Sequence, residues 1–194
     1  MKKIAGYLAL ALLVSGMAVA DEIQAPSFTD GDWWKIKNTV VMEVISRGGF
    51  CYDKEEYLVK IENGSPKVYS EGQELDCPEI VGRLLGVSVI EKLTLPFPLT
   101  TGKLVKFRTK HFPFEDITIK VIGKEEIPIN GILVSAYRIE REIMPLKGAN
   151  YFHDILLYST ECKCIAVFDR DRSNAQTGVS VKVKQKVAEY KITQ

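Results

Sequence analysis

"EEIPINGILVSAYRI", residues 125–139, sets an Asn-Gly pair between two apolar runs. Both residues tolerate the positive φ that tight primed turns require, so Asn130-Gly131 reads as the turn of a β-hairpin. Asn63-Gly64, between "YLVKIE" and "KVYS", repeats the signal. The flanking sequence alternates with period two. Tyr137, Ile139 and Ile143 alternate with Arg138, Glu140 and Glu142, and Tyr57, Val59 and Ile61 alternate with Leu58, Lys60 and Glu62. Near the C-terminus Val179, Val181, Val183 and Val187 alternate with Ser180, Lys182, Lys184 and Lys186. Alternation of this kind marks strands with one buried and one wet face. Past Val187 the apolar parity passes to Ala188, Tyr190 and Ile192, which predicts a bulge near residues 187 and 188.

Working outward, strands are expected at about 36–46, 56–62, 66–70, 103–109, 115–123, 131–143, 150–158, 164–170 and 179–192. Sequential hairpins imply an all-β, mainly antiparallel fold: a strongly curved sheet or a β-barrel meander. "DCPEIVGRLLG" breaks the rhythm. Pro78 suits a first helical position, Glu79 the first turn and Gly86 a stop, while Ile80, Val81, Leu84 and Leu85 share one face, so a short amphipathic helix is expected over 78–86. The Pro-rich "TLPFPLTTGK", 94–103, reads as an extended connection at an edge or rim.

The N-terminal "MKKIAGYLALALLVSGMAVA" has basic residues, an apolar run and a small-residue Ala18-Val19-Ala20 ending, the pattern of a secretory signal peptide cleaved after Ala20. The expected organisation is residues 1–20 as signal peptide and 21–194 as a single β-rich domain, periplasmic or secreted. No later apolar run is long enough to span a bilayer. With 26 Lys+Arg against 25 Asp+Glu, interspersed, the chain lacks the basic face that a general nucleic-acid partner needs.

An even count of four cysteines in an oxidising compartment favours disulfides. The candidates are Cys51, Cys77, Cys162 and Cys164, with three possible connectivities. Joining Cys51 to Cys77 would close a loop of about 26 residues, worth around 3 kcal/mol in the loop-entropy model. Cys162 and Cys164 would then close a very small ring, so the cross-pairings have equal standing at this point. The Cys-x-Cys element also fits a soft metal ion or a thiol function, although tetrahedral sites usually draw on wider pairs, and the Cys-x-x-Cys of a thioredoxin-like centre is missing.

Signals of catalysis are sparse, and the chain reads as no enzyme, with no cofactor. His111 and His153 stand beside no nucleophile motif, and there is no G-x-S-x-G, H-E-x-x-H or phosphate-cradling glycine loop. Carboxylates at Glu115, Asp116, Glu140, Glu142, Asp154, Asp169 and Asp171 offer acid–base choices with nothing to select among them. The aromatic inventory points further. Trp33 and Trp34 are consecutive in the first strand, so one should enter the core and the other face outward or into a cavity. An apolar ligand groove would be lined by Trp33 or Trp34, Tyr57, Phe107, Tyr137, Ile139 and Phe152, with Leu84 and Leu85 as a lid.

The order of features, a Trp-bearing first strand, then "LPFPLTTGKLVKF", "VIGKEEIPINGILVSAYRIER" and "LLYSTECKCIAVF", resembles an uncharacterised family of exported bacterial β-rich proteins. In that family a "PL..GK" entry precedes a strand, a "V.G.E.V....G.F.A..I" hairpin follows and a "YS....G.V" turn closes the pattern. The resemblance covers about residues 92–170, and the chain is broadly similar to the β-barrels of periplasmic lipoprotein carriers. Where the family's turn has small or apolar residues, this chain has Cys162 and Cys164. The resemblance carries over the architecture, a curved antiparallel sheet, but supplies no catalytic residues to carry over. The expected function is therefore non-catalytic: binding an apolar or lipid-like molecule in the curved sheet. Two alternatives are an envelope protein–protein interaction module and a thiol- or metal-handling protein that uses Cys162-x-Cys164.

Overall fold

A computed structural model describes residues 22–41, 54–87, 91–110, 114–146, 150–174, 176–177 and 180–193. The expected signal segment, Cys51 and His111 lie outside the described residues, as does the end of the strand expected at 36–46. In chain order the elements are β1 (Trp33–Val41), β2 (Glu56–Glu62), β3 (Ser65–Ser70), β4 (Gln73–Leu75), α1 (Pro78–Leu85), a single 3-10 turn (Glu91–Leu93), β5 (Leu104–Arg108), β6 (Glu115–Ile129), β7 (Ile132–Pro145), β8 (Asn150–Ser159), β9 (Cys164–Asn174) and β10 (Ser180–Lys191). Among the described residues no helix is long and apolar enough to cross a membrane.

All ten strands form one antiparallel sheet in the order β4-β3-β2-β1-β10-β9-β8-β7-β6-β5. The chain thus makes two meanders, β1 to β4 and β5 to β10, joined by pairing of the first strand with the last. A simple meander would leave those two apart. Trp34 stands opposite Tyr190 and Asn38 opposite Gln185 along that junction. The sheet curls without closing into a barrel, and its two edges are β4 and β5.

Local chemistry explains the turns. Asn63 and Gly64 have φ of 52° and 72°, and Asn130 and Gly131 have 49° and 78°, the double positive φ expected of primed hairpins. Glu71-Gly72 makes a third such turn, φ 52° and 80°, and creates β4. That strand escaped the sequence reading because glutamate is an unusual occupant of positive φ. The predicted bulge is present: Ile36 pairs with Val187 and Lys35 with Glu189, so Ala188 is skipped. Strand prolines fall where one side of the strand is unpaired, as the missing N–H demands. Pro66 lies outside the β4 pairing, Pro128 beyond the last β5 partner and Pro145 beyond the last β8 partner.

The buried apolar residues form two clusters. The first gathers Trp34, Tyr57, Val59 and Val68 of the N-terminal meander with Ile80, Leu84 and Leu85 of α1. The second gathers Ile117, Ile119, Ile139, Leu156 and Phe168 under Leu95 and Leu99. The Pro-rich connection therefore straps the second core instead of lining a rim, and Ile23 pairs with it through reciprocal backbone bonds to Leu99 of 2.9 and 2.7 Å. β7 serves both clusters: Val134 and Ala136 enter the first, Tyr137, Ile139 and Ile143 the second. Neighbouring strand residues point to opposite faces, so β7 buries a different face in each half. Among the described residues, 125–129 and 132–136 pair only with one another, and they lay Ile127, Ile129 and Val134 onto the Trp34 cluster as a folded-over finger.

Candidate functional site

α1 supplies one wall of a groove. Pro78 begins the helix, Glu79 lies in its first turn and Arg83 in its last, favourable ends for the helix dipole. Gly86 ends it in the left-handed conformation, φ 66°, donating from its N–H to the Gly82 carbonyl at 3.2 Å. Ile80, Leu84 and Leu85 turn inward. Val81 turns toward β3, where it lines a cavity of about 830 Å³ with Phe28, Val68, Leu75, Leu85 and Val87. Lys67, Glu74 and Asp76 add charge to the lining. A second cavity of about 790 Å³, between Lys54–Lys60 and Tyr69–Gly72, has a more polar wall.

The nine residues nominated as a ligand lining do not converge on one cavity. Trp34, Tyr57, Leu84 and Leu85 belong to the first cluster, Tyr137 and Ile139 to the second, and Phe107 and Phe152 pack on the margin of the second. Trp33 is half-buried, so the alternation of the two tryptophans holds. Leu85 reaches the apolar groove and Tyr57 the polar one. Phe28, Val68, Leu75, Val81 and Val87 were missed as groove residues. Their meeting depends on the β3–β4 turn and on the path of the N-terminal segment, neither of which has a periodic signature.

Cys162 and Cys164 are bonded to each other. Cys77 is also disulfide-bonded, and Cys51, the fourth candidate, lies outside the described residues. The cross-pairings between these positions are thereby excluded. Lys163, between the two cysteines, takes a positive φ of 51°. Neither sulfur-bearing residue is exposed at all, and the Trp34 indole N–H donates to the Cys162 carbonyl at 2.7 Å. The Cys-x-Cys turn is thus a staple inside the first core. Asp32, itself fully buried, accepts from the Thr29 N–H at 3.0 Å and the Thr193 N–H at 2.6 Å, and lies 3.8 Å from Lys163 Nζ.

His153 sits on the outer face of the sheet between Glu142 and Asp171, its direct cross-strand neighbours. With Tyr151 and Ser173 they line a polar depression of about 400 Å³. Burial and then Glu142 raise the Tyr151 hydroxyl above its ordinary range. Most of the carboxylates singled out in the sequence have a cationic partner: Asp116 with Arg108, Glu115 with Lys92, Glu140 with Arg138, Asp169 with Lys184 and Asp171 with Lys182. Among the described residues no group of His, Cys, Asp or Glu is arranged to hold a metal ion.

Asp154 is the exception in setting. It lies fully buried on the face of the second cluster, flanked in register by Arg141 of β7 and Arg170 of β9. Arg170 donates through Nε to Oδ1 at 2.6 Å and through Nη2 to Oδ2 at 2.8 Å. Arg141 donates through Nε to Oδ2 at 2.8 Å, and its Nη2 lies 2.7 Å from the same oxygen. Burial pushes the Asp154 carboxyl up, but the two guanidiniums outweigh it and hold the group below its ordinary range. Arg170 also stands 5.2 Å from the Phe168 ring centre, and Arg83 of α1 stands 5.0 Å from that same ring. Nearby Tyr158 packs edge-on to Phe97, and burial pushes its hydroxyl up to about 12, a measure of how dry this core is.

No protein family, no curated protein and no solved structure matches this chain.

Proposed function

We propose that this protein is an exported, non-catalytic binding protein that holds an apolar or lipid-like molecule against the outer side of α1. The observation that carries the reading is the groove of about 830 Å³ whose walls include Phe28, Val68, Leu75, Val81, Leu85 and Val87. Its size falls within the ordinary range for small-molecule sites, and a mainly apolar wall with a few charged residues favours a hydrocarbon chain over a polar metabolite. The bonded cysteines support export, since disulfides persist in oxidising compartments. The buried state of Cys162 and Cys164 favours a structural role for them over thiol or metal handling.

The test uses the neutral fluorophore N-phenyl-1-naphthylamine, which brightens in apolar surroundings. Saturable brightening is expected with the unmodified chain. Val81→Asp, which places a charge on the groove wall at a half-buried position, should weaken binding at least about tenfold because a carboxylate is costly to desolvate. Leu104→Asp, on an exposed position of β5, should leave it unchanged. Absent brightening, or equal binding by both variants, removes the reading.

The open sheet favours a second reading. Among the described residues β5 pairs only with β6 and its outer edge has no strand beside it, and a free edge is the feature by which an interaction module would add a partner's strand. Its exposed Lys106 and Arg108 blunt self-association while leaving room for an acidic partner segment.

A further inference from the structure

The same strand row that buries Asp154 carries more positive charge than its neighbours neutralise. Phe152 of β8 pairs with Arg172 of β9, and the next inward pair on these strands is Asp154 with Arg170. The guanidiniums of Arg170 and Arg172 stand 4.9 and 5.7 Å from the Phe152 ring centre, so one aromatic side chain holds two cations beside each other. Arg141 stands behind them, 1% exposed, and its Nη1 finds no hydrogen-bond acceptor among the described residues. Arg172 donates to the neutral Asn150 Oδ1 at 3.1 Å.

The guanidiniums of Arg141 and Arg170 therefore share the single carboxylate of Asp154, and Arg172 stands beside them on the Phe152 ring, held by the neutral Asn150. On the opposite face of the same strands the charges are matched, Asp169 with Lys184 and Asp171 with Lys182. Arginine cannot relieve the excess by losing its proton at neutral pH, and uncompensated buried charge is costly. The excess runs from the buried Arg141 through Arg170 to Arg172, which is exposed and gives access from solvent.

We propose that Arg170 and Arg172, held by Phe152 and backed by Arg141, form a binding site for a phosphate group. Two considerations select phosphate over other anions. A phosphate dianion cancels the two surplus positive charges of three arginines and one aspartate. Its tetrahedral oxygens can also take paired N–H donors from the planar guanidinium forks, a geometry chloride cannot use. The site is separate from the α1 groove and does not depend on it. The phosphate comes either as the free ion or as a monoester on an alkyl chain.

The experiment follows the arginine Nε–Hε resonances of the isotopically labelled protein, with calorimetry in parallel, while inorganic phosphate or hexyl phosphate is added at constant ionic strength against chloride. Saturable shifts of the Arg170 and Arg172 resonances with either ligand support the site. Tighter binding of hexyl phosphate identifies a phosphorylated amphiphile, and equal or weaker binding identifies the free ion. Arg172→Gln, at an exposed position, should lower affinity at least about tenfold, the loss of one charge-assisted hydrogen bond. Lys184→Gln, on the opposite face, should leave it unchanged. No saturable shift at millimolar ligand, or full affinity in Arg172→Gln, overturns the proposal.

Discussion

Arg141 shows what periodicity conceals. It lies between Ile139 and Ile143 on the inward parity of β7, so alternation alone turns it toward the core. A count of apolar residues passes over it. What makes its burial tolerable is the carboxylate of Asp154 on the next strand, which meets it in register and which it shares with Arg170 of β9. Asp154→Asn would leave both guanidiniums facing an uncharged amide, and a cost of about 3–5 kcal/mol is expected in urea unfolding. The pH dependence follows from the lowered Asp154 carboxyl. Its contribution is fully present above the unfolded-state value near 4 and is lost as pH falls through the lower folded value. Acid unfolding of the unmodified chain should therefore steepen below about pH 4, and the Asn variant should lack that component. Identical acid profiles would assign acid sensitivity to other carboxylates.

At the scale of elements, turns and helix ends were legible because they depend on nearest neighbours. The two Asn-Gly turns, the Pro78 start and the Gly86 stop all stand where local chemistry puts them. Gly86 and Gly131 nevertheless do different work. Both have positive φ, but a Cβ on Gly131 would meet nothing within 4 Å, whereas on Gly86 it would come within 2.8 Å of Leu95 Cδ1. Gly131→Ala should thus cost about 1 kcal/mol, the backbone term alone. Gly86→Ala should cost about 1–3 kcal/mol more, because Leu95 is buried in the second core and has little room to move. Thermal unfolding of the two variants side by side checks this, and equal losses would show that the strap yields without cost.

For the whole molecule, the seam between β1 and β10 decides how the two meanders act. Asp32 fastens that seam, accepting from Thr29 ahead of β1 and from Thr193 just past β10. Asp32→Ala would remove the buried charged acceptor of two part-buried N–H donors, and a loss of about 2–4 kcal/mol is expected for two such bonds. The loss should appear as one cooperative transition at lower denaturant, with tryptophan fluorescence and far-ultraviolet dichroism coincident. Separated transitions would mean that the meanders unfold as independent units.

The approximate positions of nine of the ten strands, two hairpin turns, the helix and the Ala188 bulge were determined by the sequence alone, since each follows from the spacing of side chains along one stretch of backbone. The β1–β10 pairing, the burial of opposite faces of β7, the Cys162–Cys164 bond and the arginine-rich row around Phe152 were decided by tertiary structure. Each joins residues whose separation along the chain carries no periodic signal. Which nominated aromatics line a groove was undecidable for the same reason: alternation says that a side chain points inward, and only the curl of the sheet says what it meets there.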